Sequence, residues 1–386
     1  MNDSHTAVSV IIPTFNRSAL LKESLDSVLA QTYLPGQIIV VDDGSEDDTQ
    51  AMLRGFGKRI EVIRQENQGK SSAINCALPR VTGDYVWFFD DDDVALPDAI
   101  ASRMEVLHAQ PDLDFVATGH LCGYSSGQEV KMEIRNASVP PVYASTEATF
   151  LQFVKKHYLH LQGVLAKRSL IERTGAFDVR LLRSQDYDYM LRMMIHGKFR
   201  VLPNASFILR HHDGPRGPHQ VRHTAHSRAS IWSNFDSLIG EKLWETLPLT
   251  VYAEDKAATD VQLRTRMQIM ASKGFLDGFF ADAVTLSARV DKNYAAQQHF
   301  AAEIRWTVRQ PYFLINLQRA RPETFRRWAG QLARTSLGRR VLFQIGVGLL
   351  RESASRLATP VPRLWAAYRG VAFMIWSVGL TLKSLF

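Results

Sequence analysis

The chain has 386 residues, 46% of them hydrophobic, enough for a sizeable core and for more than one domain. Its two cysteines, Cys76 and Cys122, exclude a disulfide framework, and without a CxxC or Cys/His zinc spacing they point to a reducing compartment. The net charge of +7 is local: from Gln331 to Phe386 eight basic residues face one acid, Glu352, which leaves the rest neutral and argues against nucleic acid as a partner.

In chain order, the opening MNDSHTAVSVIIPTF lacks a basic leader region and reads as a first strand, Val8–Ile12, running into Pro13-Thr14. Ser18 then caps a helix, ALLKESLDSVLAQ, whose apolar residues recur at helical spacing. Gln37–Val41 is a second buried strand and ends in Asp42-Asp43-Gly44-Ser45. A short helix and a third strand, Ile60–Arg64, lead to the turn Asn67-Gln68-Gly69-Lys70, which opens the helix SSAINCAL. A fourth strand, Tyr85–Phe89, runs into four consecutive aspartates, Asp90–Asp93.

This strand–helix alternation predicts a doubly wound, mostly parallel α/β sheet. Three of its strands end in polar groups on one edge, where such sheets bind ligands: Thr14, Asp42-Asp43 and Asp90–Asp93. Adjacent carboxylates raise one another's pKa, and a divalent cation relieves that. A dinucleotide site is excluded because the first turn, PTFNRS, has no glycine. An EF-hand loop is excluded because Ala95 or Leu96 stands where its glycine must be.

The motifs SVIIPTFNR, IIVVDDGSEDDT, NQGKSSAIN, DYVWFFDDDD, GAFDVRLLRSQDYDYMLRM and LRHH follow in order over Val8 to about Gly214. Together they resemble an inverting family 2 glycosyltransferase of the GT-A fold, a Rossmann-like, mostly parallel sheet with a helical C-terminal region. The resemblance implies a catalytic domain over 1–226, with a donor-binding half to about 120 and an acceptor and base half after it. A helical extension over 227–330 and a basic amphipathic tail over 331–386 complete the expected organisation.

The resemblance also implies chemistry. A nucleoside-diphosphate sugar, UDP-sugar favoured, is the donor, and a glycan or lipid-linked hydroxyl is the acceptor. Mg²⁺ or Mn²⁺ clamps the leaving diphosphate. Asp92 holds the metal with His212 as a third contact to metal or diphosphate, and Asp90 or Asp91 meets the ribose. Asp43 meets the base or ribose, and Pro13 and Thr14 line the base pocket. Asp186 is the general base, although Gln185 replaces the family's glutamate before it. Lys70, at a helix start, is placed to meet a phosphate.

Structural readings stand beside these. Asp93 caps the helix that Pro97 helps start, Asp42 or Asp43 makes an Asx-turn, and Lys70 is solvated. Asp186 and Asp188 are acids favoured by a helix N-terminus. The run His211, His212, His219, His223, His226 lacks a zinc-binding pattern.

Two apolar runs in the tail, ten residues from Val341 and thirteen from Gly370, fall short of the roughly 20 needed to span a bilayer. With Trp365, Tyr368 and Trp376 beside its arginines, the tail reads as a helix lying on an anionic membrane surface. The alternative is a dimerising or core-packing helix. The expected place of work is the cytoplasmic face of the cell membrane, in bacterial surface polysaccharide synthesis. Two other functions fit less well: a nucleotidyltransferase, which needs a glycine- and basic-rich first turn, and a non-catalytic nucleotide- or glycan-binding member of the family.

Overall fold

Strand β1 (Val8–Thr14) is buried along its whole length, as its apolar run requires. It pairs in parallel with β2 (Gln37–Asp42) on one side and β4 (Tyr85–Phe88) on the other, and β2 pairs with β3 (Glu61–Arg64). The computed structural model describes residues 7–125, 131–211, 228–253, 259–290, 304 and 310–354. The chain divides into two compact units, Met1–Arg222 and His223–Phe386.

In the first unit the sheet has the order β3-β2-β1-β4-β8-β6-β9-β5. Up to β4 it is parallel, with α1 (Ser18–Leu29), α2 (Thr49–Arg54) and α3 (Lys70–Ala77) between successive strands. Beyond β4 it becomes mixed. The strand β8 (Val164–Lys167) is antiparallel to β4 and to β6 (Phe115–Tyr124). Strand β9 (Phe199–His211) lies parallel to β6, while β5 (Val94–Ala95) and β7 (Glu133–Ser138) join β9 and β6 antiparallel. This is the GT-A-type architecture that the resemblance implies. Val10, Ile12, Leu25, Ile38, Trp87, Phe89, Met104 and Phe207 form one continuous core beneath it.

Two helix starts differ from expectation. Ser18 is the first residue of α1 and does not cap it; its own N–H is taken by Asp47 Oδ2 at 3.1 Å. Helix α4 (Ala99–Ala109) has Asp98 at its cap position, so Asp93 is not its cap either. Asp93 Oδ1 instead accepts the backbone N–H of Arg210 at 2.9 Å, which ties the aspartate run to β9.

The second unit is helical among the described residues: α8 (Arg228–Thr246), α9 (Thr259–Lys273) and α10 (Leu276–Val290), then helices Pro311–Arg319, Pro322–Leu332 and Ser336–Ala354. Its centre is aromatic, with Phe280 stacked on Trp328 and Phe279 edge-on to Phe313. Arg266 lies 3.9 Å over Trp244 and forks onto buried Asp282 at 2.8 and 3.0 Å, joining α9 to α10. Within the apolar run from Val341, Val341, Leu342 and Ile345 are buried while Phe343 is exposed. The second run and the rest of the tail, 355–386, lie outside the described residues. Among the described residues, no helix is long and apolar enough to cross a membrane.

Candidate active site

The site follows from the register of the parallel strands. β1 and β2 end together at Thr14 and Asp42, and the chain leaving β4 runs on until Asp91 meets Thr14, so all three deliver polar residues to one rim. There a cavity of about 300 Å³ is lined by Pro13, Thr14, Asp43, Lys70, Asp90, Asp91, Asp92 and Asp186. These are all the site residues expected from sequence except His212, which lies outside the described residues.

Each aspartate of the run is held by a different part of the fold. Asp90 Oδ1 pairs with the Lys70 ammonium at 2.7 Å, Asp90 Oδ2 accepts from Gln162 at 2.6 Å, and the Asp90 carbonyl accepts from Ser24. Asp91 accepts from the Thr14 hydroxyl at 2.7 Å and from Arg17 at 2.8 Å. The same Arg17 nitrogen reaches Asp92 at 3.0 Å. Arg210, fully buried, donates its Nε to the Asp92 carbonyl at 2.7 Å and pairs with Glu23.

Burial pushes the Asp90 carboxyl up to about 6; Lys70 opposes the shift, while Asp186 and Asp92 add to it. Burial also raises Asp91, with Arg17 opposing and Asp92 adding. For Arg17 and Lys70 burial works against the charge, but the facing carboxylates outweigh it and both are held above their ordinary values. The rim is therefore a set of carboxylates whose charge is supported by cations drawn from α3 and the loop after β1.

The two aspartates after β2 have separate tasks. Asp42 makes the Asx-turn: its Oδ1 accepts from the Ser45 N–H at 2.8 Å, and its other oxygen pairs with Gln50. Asp43 grips the next turn, accepting from the N–H groups of Gln68 at 2.9 Å and Gly69 at 2.8 Å and from the Gln65 amide at 2.7 Å. Gly69 sits at φ 89°, a conformation that favours glycine, and so starts α3 with Lys70 directed into the cavity.

Asp186 stands in the first turn of α7 (Gln185–His196), after Ser184 in a left-handed conformation. Its Oδ2 bonds Lys70 at 3.0 Å, and its Oδ1 is buried without a hydrogen-bond partner among the described residues. Asp188 instead faces inward and pairs with Arg192 one turn on. Lys70 is thus neither solvated nor alone: it bridges the rim to α7. Arg17 and Arg210 also line the cavity, yet sequence reasoning gave them no role. A cationic residue directly after the first strand, in PTFNR, was the available signal for Arg17.

Among the described residues, Asp90, Asp92 and Asp93 bring one oxygen each to within 4.8 Å of one another, a grouping that could hold a metal ion. An all-carboxylate oxygen set suits a hard cation such as Mg²⁺ or Mn²⁺. The set includes Asp93, which sequence reasoning had placed at a helix start.

Residues 9–175 match the family model described as Glycosyl transferase family 2. An uncharacterized glycosyltransferase of Rickettsia prowazekii is 32% identical over 182 residues, covering 47% of this chain and 56% of that protein. The GalNAc(5)-diNAcBac-PP-undecaprenol beta-1,3-glucosyltransferase of Campylobacter jejuni is 38% identical over 103 residues, 25% of this chain and 33% of that protein. The chain spans about half the length, or less, of the curated relatives it matches. Among solved structures, TarS 1–349 of S. aureus superposes with a TM-score of 0.48 at 15% identity, covering 98% of this chain and 93% of that one. The mannosyltransferase PcManGT of Pyrobaculum calidifontis, in complex with GDP-Man and Mn²⁺, gives 0.47 at 19% identity, covering 80% and 85%. Likeness at that level says nothing about what this chain binds.

The Asp90 shift has a direction that can be measured. Between the ordinary 3.8 and about 6 the folded chain keeps a proton that the unfolded chain has released. Its contribution to stability is therefore present below about pH 4 and lost as pH rises through about 6. Urea unfolding of wild type and Asp90→Asn should show the wild-type advantage shrinking across that window. A difference that stays flat would contradict the assignment.

Proposed function

With residues 9–175 a family 2 glycosyltransferase domain, we propose that the chain moves a sugar from a nucleoside-diphosphate sugar to a hydroxyl of a glycan or lipid-linked acceptor, inverting the anomeric centre. The observation that carries this reading is one cavity holding both an acidic rim and, on a separate helix, a carboxylate with an unpartnered buried oxygen. Charge must be managed at the leaving diphosphate and a proton removed from the acceptor, and the two groups serve those separate ends.

Pro13, Thr14 and Asp43 border the nucleoside part of the donor, a UDP-sugar by preference, with Asp90 or Asp91 at the ribose. Asp92 would hold Mg²⁺ or Mn²⁺ with Asp90 or Asp93, and His212, outside the described residues, is the further ligand expected from sequence. When bound, the ion supplies a Lewis acid for the charge that develops on the diphosphate. Asp186 takes the acceptor proton as the new bond forms. With a single base and no second carboxylate as nucleophile, one displacement inverts the centre. The nucleotidyltransferase reading is disfavoured because the first turn, PTFNR, has no glycine to cradle a triphosphate. A purely binding role is disfavoured by the presence of Asp90, Asp92 and Asp186 together in the cavity.

The Campylobacter relative is named for an undecaprenol-linked acceptor, which supports a lipid-linked acceptor here and work at the cytoplasmic face of a bacterial membrane in surface polysaccharide synthesis. The basic residues after Arg351 support the same placement, each worth about 1 kcal/mol near anionic lipid. Full-length protein should sediment with anionic vesicles and be released by high salt, and deletion of 360–386 should abolish binding. Vesicle binding that is unchanged by the deletion would sink the membrane role of the tail.

For the chemistry, Asp186→Asn should lower the transfer rate by about 10² to 10⁴ while donor affinity barely moves. Steady-state transfer and calorimetric titration of the donor separate the two effects. Lost donor binding with unchanged turnover at saturation would move Asp186 into the nucleotide pocket.

A further inference from the structure

Lys70 was expected to meet a phosphate. Its ammonium instead lies between two carboxylates from separate elements, 2.7 Å from Asp90 Oδ1 after β4 and 3.0 Å from Asp186 Oδ2 on α7. The backbone that carries it is fixed, because Asp43 holds the N–H groups of Gln68 and Gly69 just before it. At the far end, Asp90 Oδ2 accepts from Gln162 at 2.6 Å. The Gln162 carbonyl is itself pinned by the buried Trp87 indole at 2.7 Å. A continuous line of bonds therefore runs Gln162–Asp90–Lys70–Asp186.

That line leaves one Asp186 oxygen engaged and the other buried without a hydrogen-bond partner among the described residues. A buried acceptor without a partner costs roughly 1–3 kcal/mol, more if charged, and such a cost is tolerated where a ligand supplies the missing bond. A carboxylate gripped at Oδ2 cannot turn freely about its side-chain bonds, so Asp186 keeps a fixed place at the cavity wall. Fixed placement matters to a base, because a misplacement of about 1 Å can cost about 10² in rate.

We propose that Lys70 is a positioning residue for the base: it clamps Asp186 through Oδ2, fixes the orientation of the carboxylate that the acceptor hydroxyl meets, and ties the base to the donor-side carboxylate Asp90. The proposal rests on the reading of Asp186 as the general base. It differs from a phosphate contact in which kinetic constant moves. A clamp acts on turnover, whereas a phosphate contact acts on donor binding.

The experiment uses the full-length enzyme, a nucleotide sugar that the wild type turns over, and calorimetric titration of the matching nucleoside diphosphate. Lys70→Met should lower kcat by about 10²-fold and leave donor KM and diphosphate affinity within about threefold. Lys70→Arg, whose guanidinium can also bridge two carboxylates, should recover at least about tenfold of that loss. Gln162→Met, which loosens the line from its other end, should lower kcat in the same direction. The double variant should be no worse than Lys70→Met alone, since both changes break one line. A kcat for Lys70→Met close to wild type, or a donor KM raised about tenfold with kcat intact, overturns the clamp. Asp186→Asn run in parallel separates the two levels: a wild-type kcat there overturns the base assignment and the proposal together, while a large loss there beside an unaffected Lys70→Met overturns the clamp alone.

Discussion

Four carboxylates in consecutive residues can sit at the rim of a buried sheet only if cations meet them there. At about 4 Å a pair of opposite charges gains on the order of 4 kcal/mol at an effective dielectric near 20, and the desolvation of both partners offsets much of that. The fold answers by bringing Arg17 and Lys70 to the carboxylates from separate elements, while Arg210 holds the Asp92 carbonyl and pairs with Glu23. Their placement depends on the strand order β2-β1-β4, which brings the polar residues after three strands to one rim, and on β9 returning to the aspartate run through the Arg210 N–H. Burial still raises Asp90 and Asp91, so charge neutralisation at the rim is incomplete. A divalent cation held by carboxylate oxygens would relieve that residual strain on the charged forms.

The same constraint joins the two sides of the cavity. Asp186 enters from α7, more than ninety residues after the aspartate run, and yet shares Lys70 with Asp90. Under the proposed function, a carboxylate on the acceptor side is thus placed by reference to one on the donor side. Fold alone would not assign a reaction. The reading rests on the family match over 9–175 and on the chemistry of these particular side chains in one cavity.

The parallel half of the sheet was legible because its strands are short, continuously apolar runs bounded by turns, and each run fell on a strand. The site residues were legible for a related reason: Thr14, Asp43 and Asp90–Asp92 all lie where such strands end. Strand direction past β4 was not legible, because an apolar run looks alike in either orientation. Side-chain partnerships were invisible for a different reason. Arg17 is 74 positions from Asp91, Gln162 is 72 from Asp90, and Lys70 is 116 from Asp186, and no local pattern encodes pairings so distant. Local rules also misled at two helix starts, where Ser18 and Asp93 look like caps but tertiary bonds to Asp47 and Arg210 take their place. The Val341 run was read as surface-seeking, and three of its residues, Val341, Leu342 and Ile345, are buried while Phe343 is exposed.

The central claim is that the aspartate rim is a metal-assisted nucleoside-diphosphate site. Calorimetric titration of UDP, dTDP and GDP into the full-length protein, with Mn²⁺ and again with a chelator, tests it most directly. The account predicts one binding site per chain for at least one of the three, strengthened by Mn²⁺ and weakened in Asp92→Asn. Binding of equal strength with and without the metal, or no binding of any of the three in either condition, would contradict it.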